Sequence, residues 1–255
     1  MYDCSGIKSS RCNEGLNDML KSEMLTKRFG GLVAVERVSF EVEQPSLTAI
    51  LGPNGAGKST LFNLISGLFP PSGGRLFFCD EDISYLPIYE RVKKGIGKTF
   101  QLVSVFPQLS VREHMWLSLK RLKSQGGLDQ GIKEVSGLLS ELGLLDKINT
   151  TCSQLTMGDK KRLELAMVLA LNPKLLLLDE VFAGLMTEEV EQLKRVVLQL
   201  AKEKALLLIE HRMDIVMELA PRVIVMVKGA IIADGTPSQV RANSLVQKAY
   251  LREDQ

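Results

Sequence analysis

Apolar and polar positions alternate every second residue through 32–42 (LVAVERVSFEV), the period of a strand with one face turned to a core. A short apolar run at 47–51 predicts a buried strand, and the glycine-rich stretch after it runs into an apolar segment at 59–68 that predicts a helix. PPSGG at 70–74 is a turn, and RLFFC at 75–79 is a further strand. Between about 102 and 154 the period lengthens to that of helices. One candidate covers 111–122, and Ile132, Val135, Leu138, Leu139 and Leu142 form an apolar stripe ended by Gly143. Strands return at 175–179 and 206–210 around a helix at 188–202, the alternation of a parallel α/β sheet, and a hairpin turns at Lys228–Gly229. Residues 1–22 follow neither period and are expected to form a flexible tail. The remaining 23–255 read as a single α/β domain with a mostly parallel core sheet, antiparallel β elements and a helical insertion lobe at about 102–157.

Composition narrows the function. Of 255 residues, 45 % are apolar and 24 % charged, as in an ordinary folded chain. A net charge of +2 lacks the basic excess that neutralises many phosphates, so nucleic acid is not an expected partner. Mean hydropathy is +0.07, yet no apolar run approaches the ~20 residues that cross a bilayer. The start of the chain carries no secretory pattern, and a cytoplasmic location is expected. Four cysteines without C-x2-C spacing and two histidines predict neither a disulfide framework nor a cysteine metal site. His114, Trp116 and the stripe from Ile132 to Leu142 are expected to pack rather than to do chemistry.

The glycine-rich stretch is Gly52, Pro53, Asn54, Gly55, Ala56, Gly57, Lys58, Ser59 and Thr60, a match to G-x4-G-K-[ST]. Glycines let successive N–H groups turn inward around phosphate oxygens, the following helix adds its positive end, and Lys58 reaches the β and γ phosphates. Ser59 supplies a hydroxyl for Mg²⁺, so ATP with Mg²⁺ is the expected ligand. The dinucleotide pattern G-x-G-x-x-G fails, because Thr60 stands where its last glycine belongs. LLLLDE at 175–180 ends a buried strand in two carboxylates: Asp179 to support the Mg²⁺ shell, and Glu180 to orient or deprotonate the attacking water.

With QLTMGDKKRLELA at 154–166 preceding that strand, the chain resembles an ABC-type ATPase, the P-loop NTPase fold of transport motors. The resemblance covers about 23–255. It implies that Leu155, Thr156, Met157, Gly158 and Asp159 form the signature, with Thr156, Gly158 and Asp159 facing nucleotide held by a second subunit. It further implies that Gln101 in GKTFQ contacts the metal and the water, that His211 in IEHRMD contacts the γ-phosphate, and that Phe29 stacks on adenine.

KRFGGLVAVERVSFEV, GKTFQ, DEVFAGL, IEHRMD and the close SQVRANSLVQKAYL resemble the branched-chain amino-acid uptake branch. That branch implies a second ATPase subunit, two membrane permeases and a solute-binding protein outside, with this chain on the inner membrane face. Urea or amide uptake and lipopolysaccharide export remain alternatives. So, from other classes, do a regulatory subunit with weak hydrolysis and a non-transport ABC ATPase. Three residues depart from the commonest family pattern: Met157 for glycine, Asp159 for glutamine, and Met186 for the Asp or Asn that bonds across the subunit interface.

Overall fold

The computed structural model describes residues 18–99, 105–120 and 128–250. Strands β1 (Asp18–Phe29) and β2 (Leu32–Glu43) form a hairpin around Gly30–Gly31, with Phe29 opposite Leu32. β3 (Ser46–Leu51) leads into α1 (Lys58–Ser66), which stops where Gly67 takes a left-handed backbone. β4 (Gly73–Phe78), β5 (Glu81–Asp82), α2 (Ile88–Lys94) and β6 (Ile96–Lys98) follow. Next come α3 (Val111–Lys120), α4 (Leu128–Glu141) and, after two 3-10 turns, α5 (Met157–Leu169). β7 (Leu175–Asp179), α6 (Thr187–Leu200), β8 (Ala205–Ile209), α7 (Met213–Leu219) and the hairpin β9 (Arg222–Val227) and β10 (Ala230–Gly235) complete the sheets, before α8 (Pro237–Ala242) and α9 (Ser244–Tyr250).

Two sheets result. A four-stranded antiparallel sheet runs β2-β1-β4-β5, and a six-stranded sheet runs β10-β9-β3-β8-β7-β6, parallel except at its β9–β10 hairpin. The parallel strands are apolar on both faces because both are covered. Leu176, Leu178, Leu206 and Leu208 join the core formed with α3 to α7. The alternate residues Leu175, Leu177, Leu207 and Ile209 join the core formed with α1 and the four-stranded sheet. A two-residue period in side-chain direction thus becomes two separate cores.

The expected tail of 1–22 runs too far. β1 begins at Asp18, and Met19, Leu20 and Ser22 are buried. A buried serine hides the core face in the sequence; here its hydroxyl takes the Phe40 N–H at 3.0 Å, and β1 is gripped by β2 and β4 on its two edges. β6, three residues long and unanticipated, pairs with β7 at the sheet edge. Of the α4 stripe, Val135, Leu139 and Leu142 are buried and Leu138 packs against them, while the Ile132 side chain lies outside the described residues. His114 is core, its Nδ1 donating to Ser110 O at 2.9 Å and its Nε2 accepting from Phe106 N–H at 2.9 Å.

Candidate functional site

Three parallel strands aim their carboxyl ends at one place, where open α/β sheets bind ligands. β3 delivers the glycine loop, β7 delivers Asp179 and Glu180, and β8, lying between them, delivers His211. The glycines at 52 and 57 are required by both backbone and space. Gly57 sits at φ 99°, and a Cβ there would collide with the Ala34 carbonyl oxygen; one on Gly52 would collide with Met226 O. The β9–β10 turn pins the loop, with Gly229 N–H donating to Ala56 O at 2.9 Å. Lys58, only 7 % exposed, donates to the Gly52 and Pro53 carbonyls at 2.5 and 2.9 Å. Those are bonds that phosphate oxygens replace in kind.

A groove of about 600 Å³ opens over the loop, lined by Asn54 to Thr60, by Leu32, Val33 and Ala34, and by Glu180 and Lys228. Loop and acidic residue therefore share one cavity. Phe29 is outside this lining: it stands opposite Leu32 in the hairpin, 46 % exposed, its ring edge-on to Phe69 at 5.4 Å. Gln101 lies outside the described residues.

Asp179 is buried, and burial pushes its carboxyl above the usual range while Lys98, 3.7 Å away, draws it back. Its Oδ1 has no hydrogen-bond partner among the described residues, an orphan that suits a water or hydrated cation. No cluster of three or more His, Cys, Asp or Glu exists among those residues, so a cation here would keep waters and phosphate oxygens as ligands, as Mg²⁺ does. Glu180 takes the left-handed backbone at φ 49°, a strain of about 1–2 kcal/mol for a side chain of this size. Its N–H donates to Ile209 O at 3.0 Å, and its carbonyl accepts from Lys161 Nζ at 2.9 Å. Lys98, Lys161 and Lys228 were not anticipated; GKTFQ and the basic run after Gly158 carry the first two, but no spacing rule marks them.

The signature residues are not among those that line the groove. Thr156 caps α5, its hydroxyl oxygen accepting from Asp159 N–H at 3.1 Å and donating to Glu189 Oε1 at 3.3 Å. A Cβ on Gly158 would strike the same Glu189 carboxylate. Asp159, expected to face nucleotide, does not. It is 1 % exposed, salt-bridged to Lys147 and Arg162 at 2.6 Å each, and accepts the Thr156 N–H at 3.3 Å. The third helical residue is where a carboxylate reaches back to the cap, and two cations hold it inward.

Residues 35–183 match the ABC transporter family model, and 230–251 match that of the branched-chain amino acid ATP-binding cassette transporter. The chain is 36 % identical to the high-affinity branched-chain amino acid transport ATP-binding protein BraF of Pseudomonas aeruginosa, covering 92 % of this chain and 98 % of that one. It is 32 % identical, over 92 % of this chain and 98 % of the relative, to the lipopolysaccharide export system ATP-binding protein LptB of Escherichia coli. Among solved structures, the ADP conformation of MJ1267, an ATP-binding cassette of an ABC transporter, superposes with a TM-score of 0.83 at 30 % identity, covering 92 % and 98 % of the two chains.

Proposed function

Because this chain belongs to the ABC transporter ATPase family, as an ATP-hydrolysing subunit, we propose that it powers uptake of branched-chain amino acids through a pair of membrane permeases. The observation that carries the substrate class is the match of 230–251 to the branched-chain cassette model. No helix among the described residues is long and apolar enough to cross a membrane, and in this reading the transport path belongs to the partner permeases. The chain would sit against them at the inner membrane face. Phe106, 58 % exposed and stacked on His114, offers the helical lobe an anchored aromatic for that contact.

In this reading the α1 N-terminus and Lys58 hold the β and γ phosphates, and Ser59, Gln101 and Asp179 hold Mg²⁺. The metal would supply charge neutralisation at the phosphates. Glu180, in the groove beside the loop, orients and deprotonates the attacking water. His211, leaving the strand between loop and acid, meets the γ-phosphate, and Phe29 meets adenine. Thr156 and Gly158 complete the site of a second ATPase subunit, and closure of that pair drives the permeases by rigid-body motion. A solute-binding protein outside would deliver the cargo.

The test is reconstitution of the chain with its permeases and binding protein in vesicles. Leucine, isoleucine or valine should stimulate ATP hydrolysis and accumulate inside. Stimulation by urea or short amides, or extraction of lipopolysaccharide, would replace this substrate class. An absence of hydrolysis in the full complex would support a regulatory subunit.

A further inference from the structure

β8 is followed at once by a charged residue that the mechanism above does not use. Glu210 follows five apolar residues and is 0 % exposed, a costly place for a carboxylate unless each oxygen has a donor. One oxygen has one: Oε1 accepts the Phe182 N–H at 3.0 Å. Since Ile209 O takes the Glu180 N–H, the end of β8 grips the acidic loop at two points, on either side of Glu180. Lys161, reaching from α5 to the Glu180 carbonyl, adds a third and lies within the field of Glu210. Glu180 is thereby held in its left-handed conformation.

The other oxygen is the informative one. Oε2 is buried without a hydrogen-bond partner among the described residues, and His211 Nδ1 stands 4.0 Å from it. The His211 side chain is 53 % exposed, so its ring is free to turn. A movement of about 1 Å brings Nδ1 to hydrogen-bond distance. Burial, with the charge of Glu180, pushes the Glu210 carboxyl above its usual range, and the Phe182 N–H, His211 and Lys161 offset only part of that rise, so a second donor is what its charged form needs.

We propose that Glu210 is a positioning residue for hydrolysis: one oxygen fixes the loop that carries Glu180, and the other accepts a hydrogen bond from His211 Nδ1 when nucleotide is bound. A carboxylate on Nδ1 sets the ring's orientation and tautomer and turns Nε2 toward the γ-phosphate. The other charged groups around the pair are Glu180 beyond β7, Lys161 and Glu164 on α5, and the Arg212–Asp214 ion pair that follows His211. Acid loop and switch histidine would then answer to one buried side chain. This inference rests on the roles given above to Glu180 and His211.

The test reads the ring directly. The chain has two histidines, and His114, locked as an Nδ1 donor between Ser110 and Phe106, serves as an internal reference in ¹⁵N spectra of the imidazoles. With Mg²⁺ and a non-hydrolysable ATP analogue, wild-type His211 should carry a proton on Nδ1. Glu210→Gln can keep its oxygen on Phe182, and its amide then donates toward His211, so the Nδ1 proton should be lost. Turnover should fall about tenfold or more, with KM for ATP within about threefold. An unprotonated Nδ1 in the wild-type complex overturns the proposal without any variant. So does an unchanged ring in Glu210→Gln, or a changed ring with wild-type turnover. If the wild-type chain fails to hydrolyse ATP, the roles of Glu180 and His211 fail, while the spectra still report the Glu210–His211 contact.

Discussion

The glycine loop after β3 and the turn that starts α5 both present backbone N–H groups at a helix N-terminus, and they differ in what their side chains hold. In the loop, Lys58 is bonded to two consecutive main-chain carbonyls, Gly52 O and Pro53 O, and the glycines place no side chain over the backbone. In the turn, Thr156 is bonded to Glu189 of α6, and Asp159 to Lys147 from before the helix and to Arg162 one turn along it. The first is a complete phosphate site within its own nine residues. The second is an anion site whose partners include carboxylates, and near phosphate a carboxylate repels. A site of the first kind binds by itself; one of the second must be opened or neutralised by what approaches it.

The largest effect should fall on the chemistry beside the loop. Glu180→Gln should keep nucleotide binding and lose turnover by about 10²- to 10⁴-fold, about 3 to 5 kcal/mol of transition-state stabilisation. Steady-state hydrolysis with a nucleotide-binding titration checks it, and near-normal turnover would reject Glu180 as the base. Next is the loop itself. Gly57→Ala forces a side chain into φ 99° and against the Ala34 carbonyl, so the loop must reshape. Nucleotide affinity should fall at least about tenfold and stability by about 1–3 kcal/mol, seen by calorimetric binding and denaturant unfolding. Unchanged affinity would mean that the loop tolerates reshaping, and the contrast with the α5 turn would weaken.

On the α5 side the expected loss is in stability. Asp159→Asn should cost about 1–3 kcal/mol, less than a fully buried pair because Lys147 is partly exposed, and should leave nucleotide affinity of the single subunit unchanged. Burial pushes the Asp159 carboxyl up, but the hydrogen bond and charge of Lys147, with Arg162 and the Thr156 N–H, take it below its ordinary value. A carboxyl lowered by folding contributes stability above its unfolded pKa of about 3.9 and loses it as pH falls through the lower folded value. Wild type should therefore lose its advantage over Asp159→Asn below about pH 4 in paired unfolding curves. An advantage that persists there would mean that the ion pairs are not its source.

This contrast also explains what was legible in the sequence. Gly52, Gly57, Lys58 and Ser59 fall at the fixed places of one short motif, and Leu175 to Glu180 spell a buried strand with an acidic end. One partner of Asp159, Lys147, lies twelve residues upstream in another element, so the family resemblance implied a residue facing phosphate where the fold makes a cap. Ser22 reads as polar tail and is core, because its hydroxyl is spent on Phe40. Glu210 did leave a signal. ALLLIE repeats the apolar strand with an acidic end seen in LLLLDE, yet its work is done through the backbone of Phe182, which no residue pattern reveals.

The smallest effect tests whether the α5 turn is governed from α6. Met186 is 75 % exposed at the N-cap of α6 and makes no side-chain cap; its N–H is taken by Glu189, the residue that also holds Thr156 and crowds Gly158. Met186→Asp supplies a capping carboxylate, worth about 0.5–1 kcal/mol in the isolated chain, reduced by Glu188 and Glu189 in the same turn. It also restores an acceptor able to cross to a second subunit. If Met186 weakens communication between subunits, the Hill coefficient for ATP hydrolysis should rise in the variant by more than a stability gain explains. Unaltered cooperativity beside a gain in unfolding free energy would confine Met186 to the helix cap. Glu189, rather than the residue at 186, would then be what sets the readiness of the α5 turn.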